Sequence, residues 1–150
     1  MKTRYDLPCN IAQTLNLIGD RWTLLIIHEL LIGNHTFSEI KNNLKGLSSK
    51  LLSERLKYLE DAGMLSVSLY SSHPPRYDYK LTESGQSLET VFHALLLWGQ
   101  QHLPKCYKKL VHQECGHEVR LVCYCDECQK VTENVKAVEI DRSEDAVAKV

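Results

Sequence analysis

The stretch from Ser48 to Leu81 constrains this chain more than any other. Within it, Leu52, Leu56 and Leu59 stand at i, i+4 and i+7, one apolar stripe of a helix. The opposite side offers Ser49, Lys50, Ser53 and Arg55, with Ser48 at the start. Short hydroxyls and long cations are the side chains that reach phosphates and base edges. Gly63 is placed to end the helix, because glycine accepts the positive φ of a helix C-terminus. Met64 to Tyr70 and Tyr77 to Leu81 then read as two short strands around Ser71, Ser72, Pro74 and Pro75, with Arg76 at the far end of the turn. A basic amphipathic helix followed by a hairpin with a cation near its tip is the winged-helix pattern. The helix of such a domain enters the major groove, and the wing touches the backbone or minor groove.

The candidate DNA contacts are therefore Ser48, Ser49, Lys50, Ser53 and Arg55 on the helix and Arg76 on the wing. Arg55 has two readings, a phosphate contact or a pin holding the helix to its own domain. A solvated helix face has a similar composition, so charge has to add to the argument. Residues 40–58 carry Lys41, Lys45, Lys50, Arg55 and Lys57 against Glu54 alone, a net of +4 in a chain whose total is −1. That balance argues against non-specific coating of nucleic acid and permits a local basic footprint.

At 150 residues the chain is long enough for one domain with a real core and a small appendage. Its 43% hydrophobic and 25% charged residues are those of an ordinary globular protein. Apolar runs such as Leu24–Ile27 and Leu95–Trp98 are far too short to span a membrane. The opening Met1-Lys2-Thr3-Arg4-Tyr5-Asp6 lacks the apolar core of an export signal, so a cytoplasmic location is expected. In that compartment six cysteines read as metal ligands or reactive thiols rather than as disulfides.

Ile11, Leu15 and Ile18 mark a first helix ending near Gly19. Asp20 is placed to cap a second, with Trp22, Leu25, Ile26 and Leu30 as its buried stripe before Gly33 and Asn34. Thr36 and Glu39 have the spacing of a capping box opening a third, short helix through Leu44. Lys45-Gly46-Leu47 is the turn into the basic helix. From Thr82 a further helix carries Leu88, Val91, Phe92, Leu95, Leu96 and Trp98 around more than half its circumference. A helix that apolar needs neighbours on two sides, either a surrounding core or a second subunit, and a small winged helix has little core left to cover it. A homodimer is the expectation, with the first helix, near Leu7 and Ile11, available to join the interface. Pro104 ends the long helix. The fold expected is mainly α with a small β-hairpin wing (α+β). It divides into a winged-helix and dimerisation domain over 7–103, a zinc-ribbon-like hairpin over 111–132, and a frayed helix or flexible tail over 133–150.

Several ordered motifs carry a family resemblance: Cys9, Ile18-Gly19-Asp20-Arg21-Trp22-Thr23-Leu24-Leu25-Ile26, Phe37-Ser38-Glu39-Ile40, Leu51 to Leu59 with Arg55, Pro74-Pro75-Arg76-Tyr77-Asp78-Tyr79 and Leu81-Thr82-Glu83-Ser84-Gly85. Over roughly residues 7–103 the chain resembles the HxlR-type winged-helix transcription regulators of bacteria and archaea. The resemblance implies a homodimer on an inverted repeat in promoter DNA, paired through its first and last helices. Two positions depart from the pattern. Asn10 stands where proline often follows the N-terminal cysteine, and Thr36 stands where a basic residue often precedes Phe-Ser-Glu. The second departure removes a possible phosphate contact. Neither affects the fold.

Cysteine chemistry divides between the two ends of the chain. His112-x-x-Cys115-Gly116-His117 and Cys125-x-x-Cys128 are two ligand pairs, each spaced to bring both groups to one zinc. Cys115, Cys125, Cys128 and His112 are the expected set for one structural zinc, with His117 the alternate histidine and Cys123 a weaker candidate. Reduced thiols on a degenerate ribbon are the competing reading. Some HxlR-type proteins resemble this chain in having a Cys-rich C-terminus. Cys9 is either a small apolar residue packed between first helices or a redox or electrophile sensor at a helix N-terminus. Some relatives look like thiol sensors at that position. Cys106 is a possible resolving partner.

An enzyme is not expected. The zinc deaminase pattern needs H-x-E and a later P-C-x-x-C, whereas His117-Glu118 has the wrong spacing and Tyr124 precedes Cys125. A closed Cys₃His set leaves zinc no position for water. No glycine loop cradles phosphate. The rival reading is a winged helix used for protein–protein contact, against which the +4 segment argues.

Overall fold

A computed structural model describes residues 4–140. Helix α1 (Asn10–Ile18) leads into α2 (Arg21–Leu31), whose N-terminus is capped as the sequence suggests. The Asp20 carboxylate accepts hydrogen bonds from the N–H groups of Trp22 and Thr23, at 2.9 and 3.2 Å. Helix α3 (Phe37–Asn43) opens on a complete capping box between Thr36 and Glu39. The Thr36 hydroxyl and then its N–H donate to Glu39, holding that carboxyl below its ordinary range. The cap's contribution is therefore kept above the unfolded carboxyl's pKa and lost as pH falls through the lowered folded one.

Helix α4 (Ser49–Asp61) follows the turn at Gly46 and stops at Gly63, whose φ of 70° is the left-handed conformation expected there. The wing is an antiparallel pair, β1 (Leu65–Ser72) with β2 (Pro75–Leu81). Its register sets Leu65 opposite Leu81 and Val67 opposite Tyr79, with an irregularity between Leu69 and Ser71. Both strands run further toward the tip than the apolar pattern suggests, so that His73 and Pro74 alone separate them.

The core lies where α2, α3, α4 and the root of the wing meet. Ile26, Ile27 and Leu30 pack with Ile40, Leu47, Leu52, Leu56, Leu59, Met64, Leu65 and Leu81. Leu25 does not belong to it: it is 44% exposed, while Ile27 and Thr23 are fully buried. The stripe of α2 is thus rotated from the one expected, because α3 and α4 pack on its Thr23–Ile27–Leu30 side.

The helix expected from Thr82 onward is two helices, α5 (Glu83–Gln86) and α6 (Glu89–His102). Thr82 caps α5, and the Ser87 hydroxyl donates to the Ser84 carbonyl at 2.7 Å, competing with the helical ladder at the break. Gly85 explains why α5 docks so closely. A Cβ there would lie 2.4 Å from the Met64 carbonyl oxygen, so only glycine lets the two backbones approach.

By compactness the chain forms two units, one up to Leu95 and one from Leu96. In the second unit Val111 pairs with Glu118 as one short hairpin, and β3 (Cys123–Cys125) pairs with β4 (Lys130–Thr132) as another. Residues 133–140 take no helical turn, and the remainder of the expected tail, 141–150, lies outside the described residues. Among the described residues no helix is long and apolar enough to cross a membrane.

Candidate nucleic-acid interface

Leu52, Leu56 and Leu59 are buried to within 2% and turn one side of α4 into the core. The geometry of a 3.6-residue helix then turns Lys50 and Ser53 outward near its N-terminal end, whereas Ser49, three residues before Leu52, follows the leucine stripe and is exposed because it stands in the first turn. Ser48 is the N-cap: its hydroxyl oxygen accepts from the Leu51 N–H at 3.1 Å, so its first role is to start the helix. Arg76 is exposed beside the wing tip, paired in register with Ser71.

Arg55 differs from the other candidates. Its guanidinium lies 3.3 Å from the Asp20 carboxylate, and both side chains are largely buried, at 23% and 14% exposed. The carboxylate that caps α2 thus also pins α4, and of the two readings of Arg55 the structure favours the pin. Lys57 is also engaged, by Asp61 at 2.8 Å and Glu60 at 3.1 Å. Those carboxylates, Asp61 first, raise its pKa. The net of +4 therefore overstates the available charge. Lys41, Lys45 and Lys50 carry no ion pair among the described residues, and these three make the basic footprint around the turn and the start of α4.

Two positioning residues had no signal in hydrophobic periodicity. The His35 carbonyl accepts from the Tyr79 N–H at 2.8 Å, and His35 Nδ1 lies 3.1 Å from the Tyr79 carbonyl oxygen. With the bridge between Thr36 and Asp78, this ties the wing to the start of α3. Glu29 is buried, 8% exposed, and accepts from the side-chain amides of Asn34 and Asn43 at 2.7 and 2.8 Å. It links α2 to both ends of the α3 segment. A lone glutamate inside an apolar stripe was the one hint in the sequence.

Arg55→Ala and Arg76→Ala are expected to separate along these lines. Removing Arg55 leaves Asp20 without this partner and should cost about 1–3 kcal/mol of stability, less than a fully buried pair, with the salt dependence of DNA binding unchanged. Removing Arg76 should leave stability alone and lower the salt slope of binding by about one. Thermal unfolding and a salt titration of affinity on the same two variants check both halves.

The remaining candidates lie elsewhere. Cys9 is exposed at the N-cap of α1 and makes no side-chain cap. In the second unit His112 Nδ1 is 3.2 Å from Cys115 Sγ. The Cys125 thiol faces the Cys128 N–H, the Cys128 thiol and the Glu127 N–H, and these lower its pKa in that order. All six cysteines are free. The expected ligands thus stand as two pairs, and no group of three or more His, Cys, Asp or Glu is gathered for a metal among the described residues.

Comparison with known proteins agrees with this arrangement. Residues 17–107 match the family model of the HxlR-like helix-turn-helix. The uncharacterised HTH-type transcriptional regulator Rv3095 of Mycobacterium tuberculosis is 38% identical over 124 residues, covering 79% of this chain and 78% of its own. The uncharacterised regulator YtcD of Bacillus subtilis is 32% identical over 106 residues, 71% of this chain and 82% of its own. Among solved structures, the transcription-factor candidate PA1607 superposes with a TM-score of 0.75 at 26% identity, over 91% of this chain and 97% of its own. The reduced form of the regulator YodB of B. subtilis gives 0.55 at 34% identity, over 65% and 97%. By sequence and by fold, the chain belongs to the HxlR-like helix-turn-helix family of DNA-binding transcriptional regulators.

Proposed function

We propose that the chain acts as a homodimer that binds an inverted-repeat operator, with its two α4 helices in major grooves about 34 Å apart. The observation that carries this reading is the exposed Ser49–Lys50–Ser53 surface. It stands at the N-terminal end of a helix that three buried leucines and the Arg55–Asp20 pair lock to the domain. Such a surface offers hydroxyls and an ammonium to base edges, while Arg76 reaches backbone or minor groove from the wing. Dimerisation is supported by α6, which buries none of its residues in the single chain. Selection from random duplexes with the purified protein should return a motif with two-fold symmetry, and light scattering at micromolar concentration should give twice the chain mass. A stable monomer, or enriched duplexes without symmetry, would rule the reading out. Salt-independent DNA retention would favour a protein–protein role for the winged helix instead.

A thiol input at Cys9 extends this reading. Its exposure leaves the sulfur open to reagents, and two neighbours in fold are named for redox chemistry or its products: the redox regulator HypR in its oxidised form, and diamide-treated YodB. The expected chemistry is addition of the thiolate to a quinone, or oxidation of Cys9 with a second thiol to a disulfide as diamide takes up the two electrons and two protons and becomes the hydrazine. Either product would displace α1 and change the spacing of the recognition helices. Diamide or quinone should lower operator affinity in the parent chain and leave Cys9→Ser unaffected. A response retained in the serine variant would remove Cys9 from the mechanism.

A further inference from the structure

We propose that the second unit holds one structural zinc, ligated by His112 Nδ1 and the thiolates of Cys115, Cys125 and Cys128. The argument rests on a backbone correspondence that residue spacing alone does not contain. In both ligand-x-x-ligand turns the residue directly after the second ligand is left-handed: Gly116 has φ 71° and Gln129 has φ 50°. Gln129 is the one non-glycine residue with positive φ among the described residues. A glutamine adopts that conformation only where its surroundings demand it. Here the demand falls at the position that glycine fills in the other turn. The two turns are therefore copies in shape, which pairs His112 with Cys125 and Cys115 with Cys128.

The first turn already brings its two side chains into contact. Zinc bonds of about 2.0–2.1 Å to nitrogen and about 2.3 Å to sulfur imply tetrahedral edges of about 3.6–3.8 Å. His112 Nδ1 lies 3.2 Å from Cys115 Sγ, a hydrogen-bond distance that opens by a few tenths of an ångström to become such an edge. The first turn is closed by the Gly116 N–H donating to the His112 carbonyl at 2.8 Å.

The same turns favour these four residues over the other candidates. Cys123 stands two residues before Cys125 on β3, outside both ligand-x-x-ligand turns. His117 lies beyond the first turn, where its carbonyl accepts from the His112 N–H at 2.9 Å and closes the hairpin. The Cys106 thiol is directed to the Lys108 carbonyl at 3.4 Å.

The hairpins also lack another source of stability. From 111 to 132 every residue except Cys125 and Thr132 is exposed, so no apolar core holds the two turns. Metal ligation can supply that missing folding energy, and it draws together two pairs that stand apart without it. Zinc takes cysteine as the thiolate, so protons compete with the ion and uptake weakens as pH falls. With three sulfurs and one nitrogen the shell is closed, which makes the ion structural.

The test uses the full chain without a histidine tag, reduced, exposed to zinc chloride and desalted. Elemental analysis should give one zinc per chain, and cobalt(II) alone should produce the visible absorption of a tetrahedral thiolate site. Cys115→Ser and Cys125→Ser should each lose the metal, and His112→Gln should weaken zinc at least tenfold. Cys123→Ser and His117→Gln should keep the metal. Gln129→Gly should bind zinc as tightly or severalfold more tightly, and Gln129→Val at least tenfold less. Helical circular dichroism retained in Cys125→Ser will show that metal loss is local rather than general unfolding. The proposal is overturned if the reduced chain takes up no zinc while Cys115, Cys125 and Cys128 are all alkylated in its presence. It is also overturned if a Cys125–Cys128 disulfide forms and the chain still refuses zinc after reduction, or if Cys123→Ser loses the metal as fully as Cys125→Ser.

Discussion

Leu95→Asp combined with Trp98→Asp is expected to convert the proposed dimer to monomers and to lower operator affinity by about 10²–10⁴-fold, the avidity lost when two linked contacts become one. Val91, Leu95 and Trp98 follow one another at i, i+4 and i+7 on α6, exposed by 44, 52 and 59% in the single chain. Leu88 and Phe92 pack on the core, whereas Val91, Leu95 and Trp98 do not belong to it. Two carboxylates placed on that stripe would face their copies across the proposed interface, adding repulsion to the loss of apolar contact. Both positions are more than half exposed in the monomer, so its unfolding temperature should change little. Light scattering, thermal unfolding and a binding isotherm on the double variant provide the check. If the variant remains dimeric, the interface lies elsewhere, and α1 becomes the first place to look, with Ile11 72% and Leu15 44% exposed.

Leu59→Ala is expected to remove about 2–5 kcal/mol of stability, the cost of the lost apolar contact plus the cavity left behind. Leu59 is fully buried, and its carbonyl accepts from the Met64 N–H at 3.0 Å, so it sits where the recognition helix turns into the wing. Its side chain is directed away from the proposed DNA surface. Affinity measured per folded molecule should therefore stay near that of the parent, while the folded fraction falls. Chemical denaturation gives the first number, and binding corrected for the folded fraction gives the second. A loss below about 1 kcal/mol would mean that the core collapses around the gap far better than its packing suggests.

Local chemistry was legible wherever a single residue type has few uses. Asp20, the Thr36–Glu39 pair and Gly63 each mark a helix end, because a capping oxygen or a positive φ is a requirement met within a few residues. The leucine stripe of α4 was legible because its period matches the helix. Hydrophobicity was less informative where several faces are apolar. Leu25 and Ile27 look alike in sequence, and only the direction from which α3 and α4 approach makes one exposed and the other buried. The break between α5 and α6 was hidden for a related reason. Ser84, Gly85 and Ser87 weaken a helix only moderately, and the close contact of Gly85 with the Met64 carbonyl sets where the chain turns.

The sequence by itself determined the helix–turn–helix–wing order up to Leu81, the caps and the family, and it proposed Ser49, Lys50, Ser53 and Arg76 as DNA contacts. The caps and the leucine stripe depend on neighbours within a turn or two of helix. Tertiary structure alone decided which charges are available. It committed Arg55 to Asp20 across thirty-five positions of chain, and it anchored the wing through His35 and Tyr79. It also revealed the matched left-handed residues at Gly116 and Gln129. The physical reason is that charge pairing and backbone conformation depend on which groups meet in space, and residue spacing carries that information only for groups close along the chain.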